Sequence, residues 1–415
     1  SYSNYSHMLL KQLWPGWSVR DAIICSSDCG RLVLDKYFNT LRIEYGLDKK
    51  FIPPLLKHIP LGIDSEKIYS GKSDLPLEKF IPDDKTNILC FGRISCYSKM
   101  DILPILKSFQ LARIYGMDTR AVRLILAGGV DQKDDTIKKL LLFARNIGVE
   151  LKIISNPDEQ TKKLLLRDTH IFLSMSDNPQ ETFGLTILEA QAAGLPVVAS
   201  DYNGYRELIS HNKNGFLIPT FGPDKTEYID DLAPLIFDSE SHLLLAQSCG
   251  FDLHVLAETL TRLIAGPELR KKIGDNGKAD ASQYTWDKII ESYVLFWEEL
   301  NNLDEKRELK DQKHPVHTSY SDIFSHYTTD SWINSVVSMS KLGQAVYREK
   351  DHLVIYSGLS HFIDKEKIRM LLFLSRAPIK TPALIARLCA ALDLDQDISR
   401  LIISWAIKQG LLQTS

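Results

Sequence analysis

The chain has 415 residues, 44% hydrophobic and 25% charged, the composition of a folded globular protein with room for two or three domains. Lys+Arg 50 against Asp+Glu 53 leaves a formal net charge of -3, with no basic excess to favour nucleic acid and no acidic tail to stay disordered. No run approaches the ~18 continuous apolar residues that span a bilayer, and the start, SYSNYSHMLLKQLWPGW, lacks the order of a signal peptide.

The six cysteines (Cys25, Cys29, Cys90, Cys96, Cys249, Cys389) form no C-x-x-C pair and have no histidine at zinc spacing. They read as reduced thiols of a soluble, cytoplasmic protein, for which peripheral membrane contact stays open. The chain begins in mid-pattern without a methionine and reads as a fragment.

In chain order, AIICSS reads as a strand, GRLVLDKYFNTLRIEYG as a helix and KHIPLGID as a strand turning at Gly62, one β-α-β unit. Residues 1–64 are therefore expected to be part of a first Rossmann-like domain, and the polar stretch 65–85 a linker. From Thr86 the units are regular. NILCFG, VRLILAG, VELKII, HIFLSMS, PVVAS and GFLIP alternate with helices at 99–115, 134–147, 158–167, 184–193 and 205–209. Strands that are apolar throughout, separated by amphipathic helices, specify a parallel sheet covered on both faces. Residues 86–285 are thus expected to be an α/β Rossmann-like domain, closed by helices at 253–264 and 267–284. A further helix at 286–300 and a charged linker at 301–319 follow. Residues 320–415 form a mostly helical extension, whose last three amphipathic helices, broken at Ala377-Pro378 and at 392–395, have winged-helix-like spacing.

In a doubly wound sheet, ligands sit at the carboxyl ends of the strands, so the loops after Gly92, Ala127, Ile154, Ser176 and Ser200 are the places to look. In CFGRISCYSKM, Arg93 follows a strand and Lys99 is expected to start the next helix. Both cations could then meet a diphosphate over the sheet crest, or simply cover a strand end. In QETFGLTILEAQAAGLPVVAS, the helix start near Gly184 offers unpaired N–H groups and a positive dipole end. Glu181 precedes it in the loop and Glu189 lies inside the helix. They could meet the hydroxyls of a sugar and of a ribose, or could be a dipole partner and an exposed helix acid. GKS at 71–73 is not a P-loop, because the required earlier glycine is replaced by Glu66. The sequence has no G-x-G-x-x-G, H-E-x-x-H or G-x-S-x-G.

The run E-T-F-G-L-T-I-L-E resembles the E-x7-E motif of family 4 glycosyltransferases, retaining enzymes of the GT-B fold. The flanking IPLGID, CFGRISCYSK, RLILAGG, ASDYNGYRELI, NGFLIP and PELRKKIGDNG...YTWDKIIESY match in order, so the resemblance covers about Asp21 to Leu300. It implies a nucleotide diphosphate-sugar donor. Glu181 would hold the donor sugar's hydroxyls and Glu189 the ribose, while the amides of Phe183, Gly184, Leu185 and Thr186 would hold the distal phosphate. Arg93 and Lys99, with Gly92 in the same loop, would neutralise the diphosphate. Glu181, Arg93 and Lys99 make up the implied catalytic set, and neither a metal nor another cofactor is expected.

The resemblance also implies that the acceptor side, with the family's histidine, belongs to a first domain of which only the end is present; His7 is expected to lie outside the substrate site. The acceptor is unidentified. The C-terminal extension would dock a protein partner or an acceptor, or cap the fold, and nucleic acid is disfavoured by its apolar last helix. The alternative is a nucleotide-sugar-binding regulatory protein without transferase activity that acts through this extension. A nucleotide-sugar epimerase fits less well, because E-T-F-G-L-x3-E is the transferase arrangement.

Overall fold

The computed structural model describes residues 17–44, 46–47, 53–64, 76, 78–95, 99–129, 136–223, 225–230, 239–304, 319 and 331–414. His7, the GKS at 71–73 and most of the two linkers lie outside them. Contacts divide the chain into two compact units, Ser1–His317 and Thr318–Ser415.

The first unit opens with β1 (Ala22–Cys25), α1 (Asp28–Glu44) and β2 (Leu55–His58). β1 and β2 pair in parallel, Ala22 opposite Leu55 through Cys25 opposite His58. The second strand ends earlier than KHIPLGID suggests, because Pro60 has no N–H to give a ladder.

The main sheet contains β3 (Thr86–Phe91), β4 (Val122–Gly128), β5 (Glu150–Ser155), β6 (Ile171–Ser174), β7 (Val197–Ser200) and β8 (Gly215–Ile218). Its order is β5-β4-β3-β6-β7-β8, and every described pairing in it is parallel. Successive residues point to opposite faces, and both faces are buried. Ile88, Cys90, Leu124 and Leu126 pack on one side, Leu89, Ile125, Ala127 and Phe172 on the other. Continuous apolar strands of this kind are what a sheet covered on both faces requires.

Four of the intervening helices are α2 (Ile102–Ile114), α3 (Thr136–Asn146), α4 (Glu159–Asp168) and α5 (Leu185–Ala192), followed by the short α6 (Tyr205–Leu208). α2 begins three residues later than expected. The Asp101 carboxylate caps it by accepting the Leu103 N–H, and Lys99 is left in the turn before the helix.

After β8 the chain is not purely helical, as the sequence pattern suggests. A short antiparallel ladder joins β9 (Thr220–Phe221) to β10 (Gly250–Phe251) and encloses α7 (Ser239–Gln247). Then come α8 (Leu253–Ala265), α9 (Pro267–Ala281) and α10 (Trp286–Asn301). α10 returns to the first strands: Ile289 and Phe296 are buried with Ile59, against Ala22 and Ile24. At the joint the Ile63 N–H donates to the Tyr284 carbonyl at 2.7 Å.

The second unit has its own core, built on Val337, Leu371, Leu384, Ile402 and Ala406. It contains β11 (Val336–Met339), α11 (Lys341–Tyr347), α12 (Lys365–Leu374), β12 (Ile379–Lys380), α13 (Thr381–Leu392), α14 (Gln396–Lys408) and β13 (Leu412–Thr414). The expected three helices are present. The three strands, in antiparallel order β12-β11-β13, are too short to register in a hydrophobic pattern.

Candidate active site

The sheet order reverses between β3 and β6, which are neighbours in space but lead to opposite wings. Loops leaving such a pair part to either side and open a crevice at the carboxyl edge. β3 leads to Gly92, Arg93 and Lys99; β6 leads to the segment holding Glu181 and Gly184.

These loops meet. The Lys99 ammonium forms an ion pair with the Glu181 carboxylate and donates to the Tyr205 hydroxyl at 3.1 Å. Tyr205 donates to Glu181 at 3.1 Å and shares a 2.8 Å hydrogen bond with Ser174 Oγ at the end of β6. Burial works against charge on Lys99, but Tyr205 and Glu181 outweigh it and hold its pKa above the ordinary lysine value. Lys99 is therefore a cation at neutral pH. Burial pushes the Tyr205 phenol up to about 12, with Lys99 opposing, so Tyr205 stays neutral and serves as a hydrogen-bonding hub. The Asn203 side-chain amide donates to the Glu181 carbonyl. Asn203 itself adopts φ 51°, a left-handed conformation of the kind often found at sites of function.

Gly184 stands at the N-cap of α5 with φ 110°, and a Cβ there would lie 2.9 Å from the Tyr205 ring. Glycine is required on both counts. The first-turn N–H groups beyond it, Leu185 and Thr186 among them, have no partner within the helix. Thr186 in that first turn, Asn203 in the loop after β7 and Ser95 in the loop after β3 each have a buried side-chain oxygen without a hydrogen-bond partner in the protein. Buried polar atoms are nearly always satisfied, so orphans gathered around one crevice fit a polar ligand.

Glu189 is held separately. Its carboxylate takes a 2.5 Å hydrogen bond from Lys162 on α4. Burial raises its pKa, and Lys162 opposes the rise. Arg93 is exposed at the crest, with its side chain against Gly129 at the end of β4. Gly92 lies beneath the Lys99 side chain. The structure thus joins Lys99, Glu181 and Gly184 in one cluster, with Phe183 buried behind them, and keeps Glu189 with Lys162 and Arg93 beside Gly129. Sequence reasoning missed Lys162, Tyr205 and Asn203. The available signal was their position just past the carboxyl ends of β5 and β7.

Asp177 stitches the two loops together. It is 4% exposed; one carboxylate oxygen accepts the Asp101 N–H at 3.0 Å and the other has no partner. Burial pushes its pKa up to about 7 from 3.8. The folded chain then holds a proton more tightly than the unfolded chain between these values, so stability falls as pH rises from 3.8 to 7. Asp177→Asn keeps an acceptor for Asp101 and carries no charge. Thermal unfolding at pH 5 and pH 7.5 should show a smaller loss on raising the pH in the variant than in the parent; equal losses would refute the assignment.

Among the described residues one group has the composition of a metal site, Asp28, His58 and Glu207. Its atoms serve another purpose. The Glu207 carboxylate accepts the Asp28 and Cys29 N–H groups, both at 2.9 Å, and so caps α1. The His58 ring presents Nδ1 to Asp28 at 3.6 Å and Nε2 to Glu207 at 3.8 Å, which turns its two nitrogens to different carboxylates. No described helix is long and apolar enough to cross a membrane.

Residues 74–248 match the family model "Glycosyl transferases group 1". The D-inositol 3-phosphate glycosyltransferase of Xylanimonas cellulosilytica is 28% identical over 170 residues, 40% of this chain and 37% of that protein. The protein of the same name from Jonesia denitrificans is 24% identical over 260 residues, 58% of this chain and 53% of its own. The chain therefore spans about half or less of the length of these curated relatives. Among solved structures, Anabaena HepE in complex with UDP and glucose aligns at 20% identity and a TM-score of 0.46, over 68% of this chain and 64% of that one. The segment 74–248, which contains the whole β3-to-β8 sheet and every candidate residue above, is similar to the group 1 glycosyl transferases.

Proposed function

We propose that the protein is a retaining glycosyltransferase of GT-B type that moves a sugar from a nucleotide diphosphate-sugar to an acceptor not yet identified. The observation that carries this reading is the Lys99–Glu181 pair, set at the sheet's switch point directly before the glycine-capped start of α5. Breaking the bond between the anomeric carbon and phosphate builds negative charge on the leaving diphosphate. Preorganised cations and a helix N-terminus stabilise that charge without reorganising. Lys99, Arg93 and the amides of 183–186 supply this stabilisation, which is the reason to propose that no metal is needed.

Glu181 is engaged by Lys99 and Tyr205, which suits positioning of sugar hydroxyls better than general base chemistry. Glu189, anchored by Lys162, suits the vicinal hydroxyls of a ribose. In this mechanism the acceptor attacks from the face that the diphosphate leaves, and the departing phosphate takes its proton. The C-terminal unit runs helix, strand, helix, helix, strand from α12 to β13, which supports a winged-helix-like docking module. Asp397, Arg400 and Leu401 form a mixed exposed face on α14 that favours a protein partner over nucleic acid.

Calorimetry with UDP-glucose, GDP-mannose and ADP-glucose tests the donor site. Glu189→Ala should weaken the compound that binds by about tenfold, the order of one hydrogen bond to a charged group. Equal affinity in parent and variant would sink the ribose assignment. NMR of the product's anomeric centre tests retention, and an inverted linkage would overturn it.

A further inference from the structure

Among the described residues of the main domain, an antiparallel ladder departs from the alternation of parallel strand and helix between β8 and α8, where the chain leaves on β9 and returns on β10. The helix that precedes the return, α7, lies against the two loops of the candidate site. His242, 3% exposed, has its ring nitrogens 2.9 and 3.1 Å from the side-chain nitrogen of Gln180. Gln180 immediately precedes Glu181. Further along the helix, the Gln247 amide donates at 3.1 Å to Asp101, the residue that caps α2 just after Lys99. The Asp101 N–H in turn donates to Asp177 in the Glu181 loop. One helix thus binds both of the loops that carry the Lys99–Glu181 pair, through Gln180 and Asp101. Glu189 takes no part in this network; its carboxylate is held from α4.

A buried imidazole has to find a hydrogen-bond partner, and a loop between strand and helix has few internal contacts to fix its backbone. The hydrogen bond that the Gln180 amide donates to His242 therefore constrains the one segment whose side chains are to meet the sugar. We propose that α7 is a brace for the sugar-diphosphate end of the donor site, with His242, Gln180 and Gln247 as positioning residues. They set affinity for the sugar and distal phosphate and leave the nucleoside end unaffected. This inference rests on the donor-site reading above.

The test separates the two ends of the ligand. Calorimetry on the full chain would compare UDP-glucose, GDP-mannose and ADP-glucose with UMP, GMP and AMP, for the parent, His242→Ala and Gln180→Ala. Both variants should bind the diphosphate-sugar roughly five- to tenfold more weakly, the order of one lost hydrogen bond, and the monophosphate within about twofold of the parent. His242→Asn, which keeps an acceptor, should recover part of the loss. Gln180 is only half-buried, so its truncation opens no core cavity and stays readable even if His242→Ala fails to fold. Unchanged diphosphate-sugar affinity would overturn the brace, and so would an equal loss for both ligand classes, which marks general loosening. A parent that binds none of the six compounds would instead remove the donor-site reading, and the brace with it.

Discussion

Lys99→Ala should lower the rate of sugar transfer by roughly 10²–10³-fold, the usual cost of removing one preorganised group that stabilises developing charge. It should also destabilise the fold. In the free protein Lys99 and Glu181 are 12% and 16% exposed at their side chains, so truncating one partner leaves the other largely buried and uncompensated, at roughly 2–3 kcal/mol. The two effects separate in a double variant. Lys99→Ala combined with Glu181→Gln removes the stranded charge and should recover much of the melting temperature, while transfer remains lost. If the double variant is no more stable than Lys99→Ala, the pair is not coupled in the free protein. If single-site activity stays within a few-fold of the parent, Lys99 does not face the reacting phosphate.

Gly128→Ala should be the most damaging single methyl group in the main domain. Gly128 ends β4 with φ +149°, and a Cβ there would lie 1.8 Å from the Gly92 carbonyl oxygen. That oxygen belongs to backbone, which is pinned in turn, since the Gly92 N–H donates to the Ala127 carbonyl at 2.9 Å. Neither side can rotate away, so the β3 loop carrying Arg93 would have to lift from the sheet. A loss of about 3 kcal/mol or more is expected, from overpacking and backbone strain together. Gly129→Ala is the control, because nothing lies within 3.7 Å of its added methyl group. Chemical denaturation should find the neighbour nearly neutral. Similar losses at both positions would refute the close approach.

Much of this fold is legible in the sequence because its strands are buried on both faces. VRLILAG reads as a strand at its observed limits of Val122–Gly128, since its apolar run is broken only at Arg123 and ends on glycine. The pattern places the start of α2 at Lys99 rather than the observed Ile102, because Lys99 and Met100 continue an apolar-polar pattern into the helix. Asp101 as cap and Pro104 in the first turn, where a missing N–H costs nothing, mark the true boundary. The β9–β10 ladder has two residues on each side, too few to carry a period. At the site, Glu181, Lys99 and Gly184 could be found from motif spacing. Tyr205 and Lys162 are marked in the sequence only by their position past strand ends; their roles come from pairing across 106 and 27 residues of chain, which local pattern does not encode.

Tyr205 touches nearly everything that matters in the crevice. Its hydroxyl binds Ser174, Lys99 and Glu181, and its ring forbids any side chain at Gly184. These five positions therefore share one buried oxygen and one ring face, and their mutational effects should not sum. A substitution at Tyr205 would make later changes at Lys99 or Glu181 look mild, and it would remove the ring clash at Gly184 while leaving the strain of its left-handed backbone. Homologues that depart from one of the five are expected to depart from several, so that this cluster drifts as a block.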